Sequence, residues 1–184
     1  MKIEEIGIKE FEEKIYSEYI KLFPKEEQRE WRFIEKAYKD GIEKFYKIIE
    51  EAKIVGFFML ENINDQYPYY LDYFGIFKSF QNKGYGTKAI EMLIIDIIKD
   101  KDLYIEIEKE EKEKDITIRR ADFYRKLNFR KIESEYLLYK VIYTPYVYTK
   151  SKSISKEKVD KVMFEYYLIN CGKKEIEENC KIIK

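Results

Sequence analysis

Apolar residues change their spacing several times along the chain, and each change marks an element. Residues 2–8 alternate as a first strand, after which Phe11, Ile15, Tyr19 and Phe23 recur at helical spacing until Pro24. A second helix from Lys25 carries Trp31, Ile34 and Tyr38 on one side and stops at Gly41. Residues 45–49 and 54–63 read as the strands of a hairpin that turns at Glu50-Glu51-Ala52-Lys53. Residues 69–77 form an apolar strand. Residues 88–98 form a helix, with Ala89, Leu93 and Ile97 as its stripe and Ile90 and Ile94 beside it. The run Leu103–Glu108 alternates strictly: Leu103, Ile105 and Ile107 face one side, Tyr104, Glu106 and Glu108 the other. A helix over residues 117–127 closes at Asn128, a residue that tolerates the left-handed cap. Residues 129–132 and 135–143 read as strands, 150–158 as an exposed hairpin loop and 162–169 as a strand. Ile176, Cys180 and Ile183 trace a short tail helix. No repeat or linker interrupts this order, so residues 1–184 are expected to form a single domain.

Composition narrows the function more than the fold. Of 184 residues 45% are hydrophobic, enough for a real core, and 36 basic side chains balance 36 acidic ones. That balance gives no electrostatic case for nucleic acid or an anionic membrane. The longest apolar run, residues 54–60, is too short to span a bilayer, and the first residues carry no signal-peptide pattern. Cys171 and Cys180 sit in no metal or redox motif and read as reduced thiols of a cytoplasmic protein. Histidine is absent. A His-based triad and His metal ligands are thereby excluded, and proton transfer falls to Tyr, Glu, Asp, Lys, Cys or water.

The chemistry is concentrated between the strand at residues 69–77 and the helix after it. Gln81, Asn82, Lys83, Gly84, Tyr85, Gly86 and Thr87 place two glycines one residue apart just ahead of a helix. Such a loop turns backbone N–H groups toward one point, where the helix N-terminus adds positive partial charge and a phosphate can be held. A Walker loop would need four residues between its glycines and then Lys-Ser/Thr. A dinucleotide fingerprint is formally matched by Gly84-Tyr85-Gly86-Thr87-Lys88-Ala89, with Glu106 downstream. That fingerprint wants its first glycine at the strand end, and here residues 78–83 intervene. The pattern Gln81-x-x-Gly84-x-Gly86 instead resembles the acyl-CoA pyrophosphate loop of the GCN5-related N-acetyltransferases, the GNAT family. A second stretch, Arg120-Ala121-Asp122-Phe123-Tyr124-Arg125-Lys126-Leu127-Asn128-Phe129, resembles that family's tyrosine helix. Asn128 stands there in place of the usual glycine, and Thr117 where many members carry asparagine.

The resemblance extends over nearly the whole element order. It implies an α/β (α+β) GNAT fold: a mixed, mostly antiparallel sheet of about seven strands with helices on both faces. It also implies transfer of an acyl group, usually acetyl, from coenzyme A to an amine. With neither cysteine in a motif, direct attack in a ternary complex is expected, without a metal, and the acidic Asp72, Glu106 and Glu108 point to a primary amine of a small cationic molecule as acceptor. Nucleic acid and membrane are not expected partners, and a homodimer stays open. The alternatives are a noncatalytic acyl-CoA-binding module, a protein N-terminal or lysine acetyltransferase, and a nucleotide-dependent oxidoreductase. Cofactor contacts are expected from the loop residues above and from Phe74, Gly75 and Ile76, along which the pantetheine arm can pair as an added strand. Gly75 within a strand marks a bulge or a close approach, and the Ile76 N–H is the candidate donor to the thioester oxygen. Tyr124 matches the tyrosine that the family places near the cofactor sulfur, as proton donor. Asp72, Glu106 and Glu108 are candidate bases for the ammonium, with solvated carboxylates as the alternative for each; Asp72 shares the nominal strand face of Ile76. Tyr104 is a candidate aromatic wall for a cation. Glu26 and Glu27 lie at the acceptor mouth by analogy alone.

Overall fold

The computed structural model describes residues 1–184, which divide into two compact units, Met1–Lys99 and Asp100–Lys184. The first unit is a four-stranded antiparallel meander covered by helices. Strands β1 (Lys2–Ile6), β2 (Glu43–Glu50), β3 (Lys53–Glu61) and β4 (Tyr69–Ile76) pair in that order. The β2–β3 hairpin turns at Glu51 and Ala52, both with positive φ, the geometry whose twist matches the flanking strands. Two bulges interrupt the ladders. Ile48 pairs with Gly56 and Ile49 with Ile54, so Val55 is extra on β3; Met59 pairs with Tyr73 and Leu60 with Leu71, so Asp72 is extra on β4.

Three short helices cover one face: α1 (Ile8–Lys14), α2 (Tyr16–Leu22) and α3 (Trp31–Lys39). The expected single helix through Phe23 breaks at Ile15, whose φ and ψ of −123° and −36° leave the helical well while its side chain is fully buried. Phe11, Ile15, Tyr19 and Ile34 pack there on Phe45, Phe57, Met59, Tyr73 and Phe77 from the strands. Aromatic rings dominate this core; Phe11 stacks on Phe45 with centroids 4.2 Å apart. After β4 comes α4 (Tyr85–Met92), which begins three residues earlier than its apolar stripe suggests. It runs on as a π-helical stretch, Leu93–Ile98, closed by Lys99 N–H donating to the Ile94 carbonyl at 2.7 Å.

The second unit holds β5 (Leu103–Glu108), α5 (Asp115–Lys126), β6 (Arg130–Lys131), β7 (Tyr136–Leu138), β8 (Val141–Tyr148), α6 (Lys156–Cys171), α7 (Lys173–Asn179) and β9 (Cys180–Ile182). Strand β8 pairs antiparallel with β5, β6 and β7, and β7 pairs with β9. The strand expected over residues 135–143 is a hairpin, turned at Tyr139 and Lys140 with φ of 45° and 77°. The strand expected over 162–169 is the middle of α6, capped by Ser155, whose hydroxyl accepts from the Lys158 N–H. The expected tail helix ends at Asn179 and Cys180–Ile182 form β9; the strand count is nine against about seven expected, while the class, mixed α/β with mostly antiparallel pairing, is as expected. No helix is long and apolar enough to cross a membrane.

Candidate functional site

At the end of β4 the chain leaves the sheet through a turn held by its own backbone. Phe77 N–H donates to the Val55 carbonyl on β3 at 2.9 Å, and a single 3-10 turn follows at Lys78–Phe80. Gln81 then folds back, its Nε2 donating to the Ile76 carbonyl at 2.9 Å. Asn82 and Gly84 both have positive φ, 61° and 78°. Gly84 is the N-cap of α4 and its carbonyl accepts from Lys88 N–H at 3.2 Å. The N–H groups of Tyr85, Gly86 and Thr87 therefore point out of the helix start with no partner inside it. No acidic residue occupies the first turn of α4, and nothing lies within 4 Å of the space where a Gly84 Cβ would sit. Lys83 rests its ammonium 5.5 Å from the centre of the Phe80 ring. A clear, acid-free helix start suits an anionic group such as a pyrophosphate.

Gly75 and Ile76 lead into this turn. Neighbouring residues of a strand direct their N–H groups to opposite edges, so the bond from Phe77 to β3 turns the Ile76 N–H to the other edge of β4. Gly75 is a close approach: a Cβ there would stand 2.8 Å from Leu22 Cδ1 and 3.0 Å from the Phe57 ring. Gly56 opposite is tighter, since its Cβ would meet the Gly75 carbonyl oxygen at 2.4 Å. Phe74 faces the other way and stacks on Phe58 at 4.9 Å.

The bulge at Asp72 changes what that carboxylate can reach. It turns Asp72 toward the face covered by α1–α3, which Gly75 also fronts through Leu22, and away from the face of Phe74 and Ile76. The expected shared face of Asp72 and Ile76 is thus corrected, because an extra residue reverses strand parity. On that face Asp72 meets Arg29 from the segment between α2 and α3, Oδ2 to Nη1 at 3.2 Å. The same guanidinium donates to Glu61 Oε1 at 2.7 Å and, through Nη2, to both oxygens of Glu43 at 2.5 Å. Glu43 and Glu61 are register partners at the far end of the β2–β3 hairpin. Oxygens of the three carboxylates lie within 4.8 Å of one another, and the cation they surround is Arg29. Burial is the largest influence on the Glu43 and Asp72 carboxyls and raises both, against the lowering by Arg29. The Arg29 segment is tied down twice more: Arg29 N–H donates to the Tyr19 hydroxyl at 2.8 Å, and the Tyr73 hydroxyl donates to the Glu27 carbonyl at 2.5 Å.

In the second unit Tyr124 lies on α5, 7% exposed, edge-on to Phe123 and Phe129. Burial pushes its phenol up to about 12. The helix ends with Asn128 in the left-handed region, its N–H donating to the Arg125 carbonyl and the Phe129 N–H to that of Tyr124, the expected cap. Thr117 spends its hydroxyl on the helix start, donating to the Lys114 carbonyl and accepting from Glu111 N–H. On β5, Glu108 is ion-paired with Arg120 of α5 at 3.1 Å, and Glu106 accepts from the Tyr167 hydroxyl of α6. Tyr104 is fully buried, and its hydroxyl has no hydrogen-bond partner. Burial pushes the Cys180 thiol up to about 12, which suits a packed side chain and not a nucleophile.

The acetyltransferase (GNAT) family model matches residues 10–129, a span that includes the Gln81–Gly86 loop, β4, β5 and the Tyr124 helix. The chain belongs to the GNAT family. Among solved structures, a protein of Bacteroides thetaiotaomicron assigned to the GNAT acetyltransferases matches 94% of this chain and 99% of its own at a TM-score of 0.78 and 21% identity. A GNAT acetyltransferase of Elizabethkingia anophelis, solved with acetyl-CoA bound, matches 80% of this chain and 97% of its own at 0.60 and 13%. The ribosomal-protein-S18-alanine N-acetyltransferase of Escherichia coli matches 84% and 96% at 0.59 and 13%. At such identities the likeness is one of fold, and it bears out the GNAT fold expected from the loop and tyrosine helix. A search of curated proteins found no match.

Sequence reasoning missed Arg29, Glu43 and Glu61 altogether. Arg29 lies 14 and 32 positions from its glutamate partners. Counting back from the hairpin turn would pair Glu43 with Leu60; only the bulge at Val55 brings Glu61 opposite it.

Proposed function

We propose that this GNAT protein transfers the acetyl group of acetyl-CoA to a primary amine of a small molecule. Transfer is by direct attack in a ternary complex, within one catalytic domain spanning residues 1–184. The observation that carries the reading is the acid-free start of α4 behind a left-handed Gly84, a backbone cradle for a pyrophosphate directly after β4. Gln81, Asn82, Lys83, Gly84, Tyr85, Gly86 and Thr87 hold the phosphates, and Phe74, Gly75 and Ile76 line the pantetheine arm. Acetyl-CoA supplies an activated acyl group with a thiolate leaving group.

The residues of the chain handle protons and charge. The ammonium must shed a proton before its lone pair can attack, and Asp72 or Glu108 accepts it. The Ile76 N–H donates to the carbonyl oxygen as charge builds there. Tyr124 donates at the sulfur. With its phenol near 12 it stays protonated at any working pH, and against a thiol near 8.5 it acts chiefly as a hydrogen-bond donor, a contribution of about a hundredfold at most. The buried Cys180 supports attack without an acyl-enzyme, and carboxylate bases suit a cationic acceptor. A cytoplasmic setting suits two cysteines that sit in no metal or redox motif.

The test is a panel of small amines, amino acids and peptides with acetyl-CoA, read by thiol release, on the parent and on Tyr124→Phe. The expected result is release that depends on a small cationic amine, with kcat lowered about tenfold to a hundredfold in the variant and KM for acetyl-CoA little changed. Coenzyme A binding with no amine-dependent release would make the protein a noncatalytic binder. A preference for peptide N-termini or lysines would make it a protein acetyltransferase.

A further inference from the structure

Arg29 does not divide its donors evenly among the three carboxylates around it. Nη2 is clasped by both oxygens of Glu43, and Nη1 donates to Glu61 at 2.7 Å. Asp72 Oδ2 stands 3.2 Å from that same Nη1 yet receives no hydrogen bond. Asp72 is also the member through which the cluster opens outward: its side chain is 12% exposed, while those of Glu43 and Glu61 are 0% exposed.

We propose that Glu61 is a positioning residue: by taking the aligned hydrogen bond from Arg29 Nη1, it leaves the Asp72 carboxylate basic enough to accept the proton of the acceptor amine. The inference rests on Asp72 being the base of the proposed reaction. The transfer balances simply: an ammonium N–H bond breaks, an O–H bond forms on Asp72, and nitrogen keeps the electron pair. Uptake is electrostatically reasonable, since one guanidinium faces three carboxylates before it and two after. The groups facing Asp72 are Arg29 ahead of α3, Glu43 on β2, Glu61 on β3, Tyr19 on α2, and Tyr70 and Tyr73 on its own strand; Tyr70 hydrogen-bonds the carboxylate. Burial raises Asp72, and Arg29 and then Tyr70 oppose it. With Glu61 made neutral, its hold on Nη1 weakens and one negative charge leaves the cluster, so the proton affinity of Asp72 falls.

The experiment is a carbon-13 side-chain carboxyl titration of the parent and of Glu61→Gln, which needs no acceptor. In the parent, Asp72 titrates above the ordinary aspartate value of about 3.9. In Glu61→Gln its midpoint falls by about one pH unit, the scale of one nearby charge pair. A parent midpoint at or below the ordinary value overturns the proposal even if the variant fails to fold, and so does an unmoved midpoint in a folded variant. The acid limb of kcat/KM, measured with the amine that gives the fastest thiol release, should move down with the midpoint. If the midpoint moves and the limb does not, Asp72 is not the base, and the wider reading loses that assignment along with this one. An unmoved midpoint alone leaves the acetyltransferase reading intact.

Discussion

Near the start of β4, Asp72 sits against a buried guanidinium that also serves Glu43 and Glu61, whereas past its end the loop from Gln81 to Thr87 carries no such cluster and offers backbone N–H groups. The first arrangement takes four charged side chains out of water. Arg29 ties the segment between α2 and α3 to β2, β3 and β4 through it, and loss of that one cation leaves three buried carboxylates uncompensated. The second arrangement spends no side-chain charge. It stays exposed and depends on the φ of one residue and on what is absent from the first turn of α4. One strand thus carries a rigid, buried ionic cluster before its end and an open, acid-free turn after it.

Removing the cation should separate the two most sharply. Arg29→Met leaves three carboxylates without their partner, and about 3–5 kcal/mol of stability should be lost near neutral pH. The sign with pH follows from linkage: folded carboxyls raised above their unfolded values bind more protons, so stability falls as pH rises from about 4 toward the folded values. Thermal unfolding should therefore show the variant nearest the parent in acid, with coenzyme A binding retained wherever it is folded. A deficit that does not change with pH would mean that Arg29 matters by packing alone.

At the other end, Gly84→Val forces a β-branched residue into the left-handed region at the cap of α4, where space is free but the backbone is strained. Affinity for coenzyme A should drop about a hundredfold, the scale of about 2.7 kcal/mol, while the carboxyl cluster keeps its titration. Calorimetry that finds parent affinity in a folded variant would remove Gly84 from the binding site. Gln81→Ala should have the smallest effect. It deletes one exposed hydrogen bond to the Ile76 carbonyl, worth about 0.5–1.5 kcal/mol, and should weaken coenzyme A binding severalfold with the melting temperature lowered by only a few degrees. A marked loss of stability instead would make Gln81 a brace of the strand end.

The same contrast explains what could be read in the chain. The phosphate loop and the tyrosine helix are local: Gly84, Gly86 and Asn128 declare their backbone needs within a few residues, and the structure has Gly84 and Asn128 left-handed. The ionic cluster is not local. It depends on two bulges, at Val55 and Asp72, that neither propensity nor alternation signals, because each arises from how one strand is pulled against the next. The turn at Tyr139 and Lys140 lacks glycine, asparagine or proline and left no mark, so β7 and β8 merged into one expected strand. For α6 a signal was present: Val159, Val162, Met163, Tyr166 and Asn170 are buried at helical spacing behind the Ser155 cap. The dense run of branched and aromatic residues from Val162 to Ile169 outweighed it.

In the proposed function the start of α4 holds the cofactor's phosphates. Amide chemical shifts followed while coenzyme A is titrated into the parent protein test that most directly. The largest, saturating changes are predicted for Gly84, Tyr85, Gly86 and Thr87, followed by Gly75 and Ile76. Saturation with these amides unmoved, or with the largest changes elsewhere, would contradict it.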